Sequence, residues 1–389
     1  MSRKKKMLSE YSSLEDYIKS NRSPKYKIYQ NGRTCYDAFK EVQLNLKDIV
    51  DNVEMGAMKE NIDEKLEAIK TNVEKCDSEE KKQQVIKDSI FNDSVIFLNN
   101  HGRNHLDKVA ERAFDIVKHF DQREQLSEIE VFLMLCAIEI HDIGNILGRN
   151  GHEIKLQAIF DDNCSSIIKD TFERRIIKNI ASAHGGKNSE GSKDTISEIN
   201  YSENFGGDVV RTRLLAAIIR FADELADDNT RANRAARDLN ILGINSQIFH
   251  EYSLALHSVK IDEEDEFKYV AVKLDYDLDA EGLEKKYAFG GFDKYLLDEI
   301  YDRTYKMEQE REYCMKFFNT CKRIDKIQVR ICIYGPNTKL LDTISYTLED
   351  NAYPTSNGKK RIMRDNTRNS VPTGEEELNY IKERMRNNE

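Results

Sequence analysis

SEIEVFLMLCAIEIHDIGN, residues 127–145, is the stretch on which the reading of the chain turns. Ser127 followed three residues later by Glu130 makes a capping box, in which each side chain reaches the other's backbone N–H, so a helix starts here. The run from Val131 to Ile140 is apolar but for Glu139, which suits a helix surrounded by others. It is about half of the ~20 residues that a membrane span requires, so burial in a bundle is the expectation. The helix ends at His141-Asp142, and Ile143-Gly144 marks a sharp exit.

Helical periodicity extends on both sides of this stretch. His105, Val109, Ala113 and Ile116 share one helix stripe, so His105 faces a core. A further helix is predicted over roughly Phe172 to His184, stopped by Gly185-Gly186, and another from about Val209 to Asp228. Further out the period changes to two. Val270, Val272, Leu274, Tyr276 and Leu278 alternate, as do Ile327, Val329, Ile331 and Ile333, and both sets predict half-buried strands. Between them a helix is expected from Phe292 to about Phe318. Ile62, Leu66, Ile69, Val73 and Cys76 form a stripe that packs on the main body or makes a dimer seam. The predicted fold is mainly α: N-terminal segment and helices over 1–91, a helical bundle over 92–240, a small α+β module over 241–352, and a polar tail over 353–389 with a short helix begun by Thr373 and Glu376.

Composition narrows the function. Of 389 residues, 39% are hydrophobic and 33% charged, the balance of a folded globular protein, and the net charge is -10. General nucleic-acid coating needs a basic field and is disfavoured. No apolar run is long enough for a membrane span, and no signal-peptide core follows the basic residues Arg3 to Lys6, so a cytoplasmic location is expected. The seven cysteines include no C-x-x-C pair, which argues against a disulfide framework or a cysteine-built zinc site.

Six of the eight histidines lie between positions 101 and 184. A single core-facing histidine is usually just hydrogen-bonded, and a single buried aspartate usually caps a helix or pairs with an arginine; Arg220 lies one turn from Asp223. His105, His141-Asp142, His184 and Asp223 on the inward faces of successive helices suggest more, because bundles build metal sites from such side chains. An ionised Asp223 in an apolar helix is costly unless it is paired or binds a cation. Mixed imidazole and carboxylate donors suit Mn, Fe, Zn, Ni or Co better than Ca.

The order of these residues resembles the HD phosphohydrolase superfamily. His105 with Val109 is similar to its first-helix pattern, EIHDIGN at 139–145 to its name-giving doublet, and RFADELAD at 220–227 to its final aspartate helix. The resemblance covers roughly residues 95–235. It implies an HD-type bundle with His105, His141, Asp142 and Asp223 as metal ligands. His152 and His184 then either hold a second metal, with Asp142 bridging, or serve the phosphate chain. The HG-x-x-H start at His101–His105 looks closest to the HD-CE group, often linked to bacterial stress or phage defence. The absence of a G-Y-P motif after His184 counts against the cyclic-di-GMP subgroup. His101 is expected beside the ligand His105, and His119 on the surface.

From this follow one or two divalent ions (Mn, Fe, Ni, Co or Zn, with Mg compatible) and a nucleotide substrate. His152, Glu153 and His184 are the candidate catalytic groups. Lys187, Arg231 and Arg234 are the candidate phosphate binders, with Arg149 a weaker one. Deoxynucleoside triphosphate hydrolysis is favoured; cleavage of cyclic or signalling nucleotides is the alternative, and a slow-turnover nucleotide sensor is the alternative of another class. A nucleotide effector and a homo-oligomer are further expectations. The polar segment from Lys187 to Asp208 is expected to be either a mobile lid or a surface insertion irrelevant to catalysis.

Overall fold

The computed structural model describes residues 6–20, 33–53, 102–148, 151–232 apart from 189 and 230, 246–349 apart from 265–267 and 290–291, and 372–386, with short stretches within 67–82 and at 364–365. The chain divides into two compact units. One comprises Met1–Ala57, His101–Ala226 and Glu310–Ile324; the other comprises Met58–Asn100, Asp227–Gln309 and Asp325–Glu389.

The first unit is a helical bundle of α1 (Leu14–Ser20), α2 (Cys35–Asp51), α3 (Arg103–Val117), α4 (Glu128–Ile140), α5 (His152–Cys164), α6 (Thr171–Ser182) and α7 (Thr212–Glu224). Helix α4 is the axis. All its residues are buried, and α1, α2, α3, α6 and α7 pack around it, as its predominantly apolar surface requires. The capping box at Ser127 is present, with the Ser127 N–H donating to Glu130 at 2.9 Å and the return bond at 3.2 Å. A tight turn over Ile143–Leu147 follows α4 and lies against α5.

Between α6 and α7 a two-stranded hairpin forms from β1 (Glu203–Phe205) and β2 (Asp208–Val210). Gly206 and Gly207 make its turn with φ of +62° and +87°, the two positive values that a tight hairpin favours. Val209 and Val210 are therefore strand, and α7 runs from Thr212 to Glu224 rather than from Val209 to Asp228. The segment 187–208, expected to be a lid or a surface insertion, is tied to the bundle over 193–199. Arg220 donates to the Lys193 carbonyl at 2.9 Å and to Thr195 Oγ1 at 3.1 Å. Arg213 donates to the carbonyls of Ile199 and Ser197 at 2.9 and 2.6 Å, and the Ile196 side chain is fully buried. A polar segment can be held through its backbone carbonyls, which composition does not report.

The second unit is the small α+β module. It contains α8 (Gln247–Ala255), β3 (Leu256–Glu264), β4 (Tyr269–Asp279), the hairpin β5 (Lys286–Phe289) and β6 (Phe292–Tyr295), most of α9 (Leu296–Met315), β7 (Ile324–Tyr334), β8 (Leu340–Glu349), β9 (Arg364–Asp365) and α10 (Gly374–Arg386). The sheet order is β3-β4-β7-β8-β9. The alternating residues of β4 and β7 named above are all buried. Phe292 belongs to a strand, since Phe292–Tyr295 pair with Lys286–Phe289 across Gly290-Gly291, and α9 begins at Leu296. Near the C-terminus Thr373 and Glu376 cap α10, whose Glu377 and Ile381 are buried. Ile62, Leu66, Ile69 and Cys76 of the expected stripe lie outside the described residues. Among the described residues no single helix is long and apolar enough to cross a membrane.

Candidate metal centre

Six side chains from the first unit converge on one point. His105 projects from the start of α3, His141 and Asp142 follow the last turn of α4, and His152 opens α5. His184 sits in the turn after α6, and Asp223 lies near the end of α7. The turn after α4 is what folds His152 back onto Asp142. A Cβ on Gly144 would stand 1.9 Å from the His152 carbonyl oxygen, so only glycine permits this approach of the two backbones.

The carboxylate of Asp142 lies between two sets of donors. Its Oδ2 is 3.5 Å from His105 Nε2 and 3.4 Å from His141 Nε2. Its Oδ1 is 3.4 Å from His152 Nε2 and 4.0 Å from His184 Nε2. Asp223 Oδ1 closes the first set, 3.1 Å from His105 Nε2 and 3.8 Å from His141 Nε2. Two groups able to hold an ion result, His105–His141–Asp223 and Asp142–His152–His184, each with donor atoms within 4.8 Å of one another.

Two backbone bonds prepare the imidazoles for this task. His141 Nδ1 lies 2.8 Å from the Ile138 carbonyl and His184 Nδ1 lies 2.6 Å from the Ala181 carbonyl. A carbonyl only accepts, so Nδ1 of each ring carries a proton and Nε2 faces inward, the nitrogen a metal would take in place of a proton. His141 Nε2 is buried with no hydrogen-bond partner among the described residues. That orphaned nitrogen, beside two carboxylates and further imidazoles, fits a divalent transition metal and leaves little else for it to do.

The electrostatics of the cluster point the same way. Burial works against a charged His141, but the Asp142 and Asp223 carboxylates outweigh it and raise its pKa to about 9. Burial, then the charge on His141 and on His152, lowers His184 to about 4. Burial also opposes an ionised Asp223, yet His105 and His141 hold it well below the usual carboxylate range. The cluster thus concentrates negative charge on two carboxylates while keeping at least one imidazole neutral.

Glu153, beside His152, has its Oε2 3.2 Å from His152 Nδ1. Arg220 does not pair with Asp223. Its guanidinium binds Glu310 at 2.7 and 3.2 Å and stacks on the Tyr313 ring. Lys187 is exposed, and no described group pairs with it. Arg231 is half-buried, 3.8 Å from Asp227. Arg149, Arg234 and His101 lie outside the described residues, and His119 is half-buried. Sequence reasoning assigned no role to Asn145, whose Nδ2 donates to Asp142 Oδ1 at 3.0 Å in a buried setting and so orients the shared carboxylate. The spacing of three residues from Asp142 was the available signal.

Residues 89–305, more than half of the chain, match the family model HD-CE. No curated protein and no solved structure gives a match.

Proposed function

The chain belongs to the HD-CE family, and from that membership we propose that it is a metal-dependent nucleotide phosphohydrolase, with deoxynucleoside triphosphates as its favoured substrates. One observation carries the reading: Asp142 presents one oxygen to each of two donor groups, so a single carboxylate can serve a pair of ions. Divalent ions held there would bring the pKa of a water toward neutrality and draw charge from phosphoryl oxygens.

The chain's own residues supply the rest. Hydrolysis adds water to phosphorus and breaks a P–O bond, so the leaving oxygen needs a proton. Glu153, 18% exposed and so open enough to meet a substrate, is the group able to deliver it, and its Oε2 lies 3.2 Å from His152 Nδ1, which it orients. The Ile138 and Ala181 carbonyls hold protons on Nδ1 of His141 and His184 and keep both rings oriented. Asn145 fixes the rotation of Asp142. Lys187, unpaired among the described residues and three positions after His184, is the cation we assign to the phosphate chain. Arg231 already faces Asp227, so phosphate binding there would first have to break an ion pair.

The completeness of the Asp142–His152–His184 group favours a second reading, a two-metal phosphodiesterase acting on cyclic or signalling nucleotides. Incubating metal-loaded protein with a nucleotide panel and separating the products tests both. Released triphosphate supports the first reading and a linearised nucleotide the second. Tight nucleotide binding without turnover would overturn both in favour of a sensor.

A further inference from the structure

Helices α3 and α4 must bring His105 and His141–Asp142 to one point, and packing of apolar side chains sets such a separation only loosely. A polar device sits where this separation matters. Arg103 is the first residue of α3 and Glu139 the last but one of α4, so each precedes a histidine of the centre by two residues. Arg103 Nη1 donates to Glu139 Oε1 at 2.7 Å. Gln43 Nε2, from α2, donates to the same oxygen at 2.6 Å. The Glu139 side chain is 4% exposed, and its Oε2 has no hydrogen-bond partner among the described residues. Arg103 is also 3.9 Å from Asp107, one turn along α3.

The pair is a poor choice for stability alone. Glu139 is the one charged residue in α4 beyond its first turn, and a buried ion pair loses in desolvation much of what it gains by attraction. Apolar residues of similar volume often stabilise a fold at least as well. What a charged hydrogen bond adds is a narrow distance and direction. We propose that Arg103, Glu139 and Gln43 form a clamp that positions the metal centre by fixing α2, α3 and α4 relative to one another where His105 and His141–Asp142 emerge. The inference rests on the metal-binding reading of those residues.

The test separates stability from metal geometry. Wild type, Glu139→Gln and the double variant Arg103→Leu/Glu139→Leu are stripped of metal, their thermal midpoints are recorded, and each is titrated with Co2+ while its visible d–d absorption is followed. The double variant should melt at or above wild type, because an apolar pair replaces a desolvated charged one. It should nevertheless bind Co2+ roughly 10- to 100-fold more weakly, the usual penalty for losing an outer partner of a metal site, with an altered spectrum. Glu139→Gln should also weaken binding. A double variant with wild-type affinity and spectrum overturns the clamp while leaving the metal centre intact. Wild type that binds no Co2+ removes the metal reading, and the clamp with it. Should the double variant fail to fold, Arg103→Lys decides: an unchanged spectrum and affinity there overturn the proposal, since lysine cannot reproduce the guanidinium geometry.

Discussion

Raising the pH above neutrality should cost the metal-free protein stability that the metal-loaded protein keeps. In the metal-free protein His141 has a pKa of about 9, against 6.5 for an ordinary histidine. A raised histidine stabilises the fold fully below pH 6.5, and that contribution is lost as pH climbs through 9. For this fully buried ring the difference is worth about 3 kcal/mol, lost at up to about 1.4 kcal/mol per pH unit. His184 acts in the other direction. Lowered to about 4, it stays neutral in the folded protein while the unfolded chain takes up a proton below 6.5. Its contribution is complete above 6.5 and disappears as pH falls toward 4. The two rings together place the metal-free maximum of the site's contribution near pH 6.5. A bound cation takes the place of the His141 proton, so its apparent affinity should rise about tenfold per pH unit up to the His141 pKa. The metal-bound folded state carries no proton on His141 and the unfolded chain carries few above 6.5, so between pH ~6.5 and ~8.5 the metal-loaded protein should hold its stability while the metal-free protein loses it. Urea unfolding in EDTA and in saturating Mn2+, at closely spaced pH values, gives both curves, and their difference cancels every titrating group remote from the centre. Equal slopes over that interval would refute the assignment of His141 as a ligand that exchanges a proton for a metal.

Asp142→Ala should abolish metal content and hydrolysis while circular dichroism stays helical; full metal occupancy by elemental analysis would remove Asp142 from the centre. Gly144→Ala should push the His152 backbone away, because its Cβ would stand 1.9 Å from a carbonyl oxygen. The expected result is loss of one of two bound ions, with His105, His141 and Asp223 retaining the other, so an unchanged stoichiometry of two would contradict the role given to that close approach. Arg220→Met strips a 7%-exposed guanidinium from Glu310 and should cost about 3 kcal/mol, with faster amide exchange at 193–199; protection equal to wild type would show that this arginine does not pin the segment. Replacing residues 190–204 by a Gly-Ser linker should lower the melting temperature, because it deletes the buried Ile196 and the carbonyls that Arg213 and Arg220 hold. A wild-type melting temperature would show that those contacts do not hold the segment in place.

Some of this was legible from the chain alone, for local reasons. The nearly all-apolar run Val131–Ile140 and the Ser127–Glu130 capping box are properties of neighbouring residues, and they determine α4 and its position at the bundle centre. Strict alternation determines β4 and β7, since side chains of a strand point to opposite faces in turn. Inward positions on helical stripes mark His105 and Asp223 as residues that a core must accommodate. The glycine pairs 206–207 and 290–291 were local hairpin signals too, and starting helices directly after them misplaced Val209 and Phe292.

Tertiary structure decided the rest, because it concerns distances between residues far apart in sequence. Whether Arg220 would answer Asp223 or Glu310 depends on which helix packs beside α7, and Glu310 prevailed. Whether the segment after His184 is loose depends on arginines that find its carbonyls, which no composition rule sees. The division of six donors into two groups, with the two oxygens of Asp142 facing one group each, follows from four helix ends and two turns meeting at one point. Sequence lists which donors are available. Only the fold sets the few ångströms between them, and a divalent ion responds to those distances.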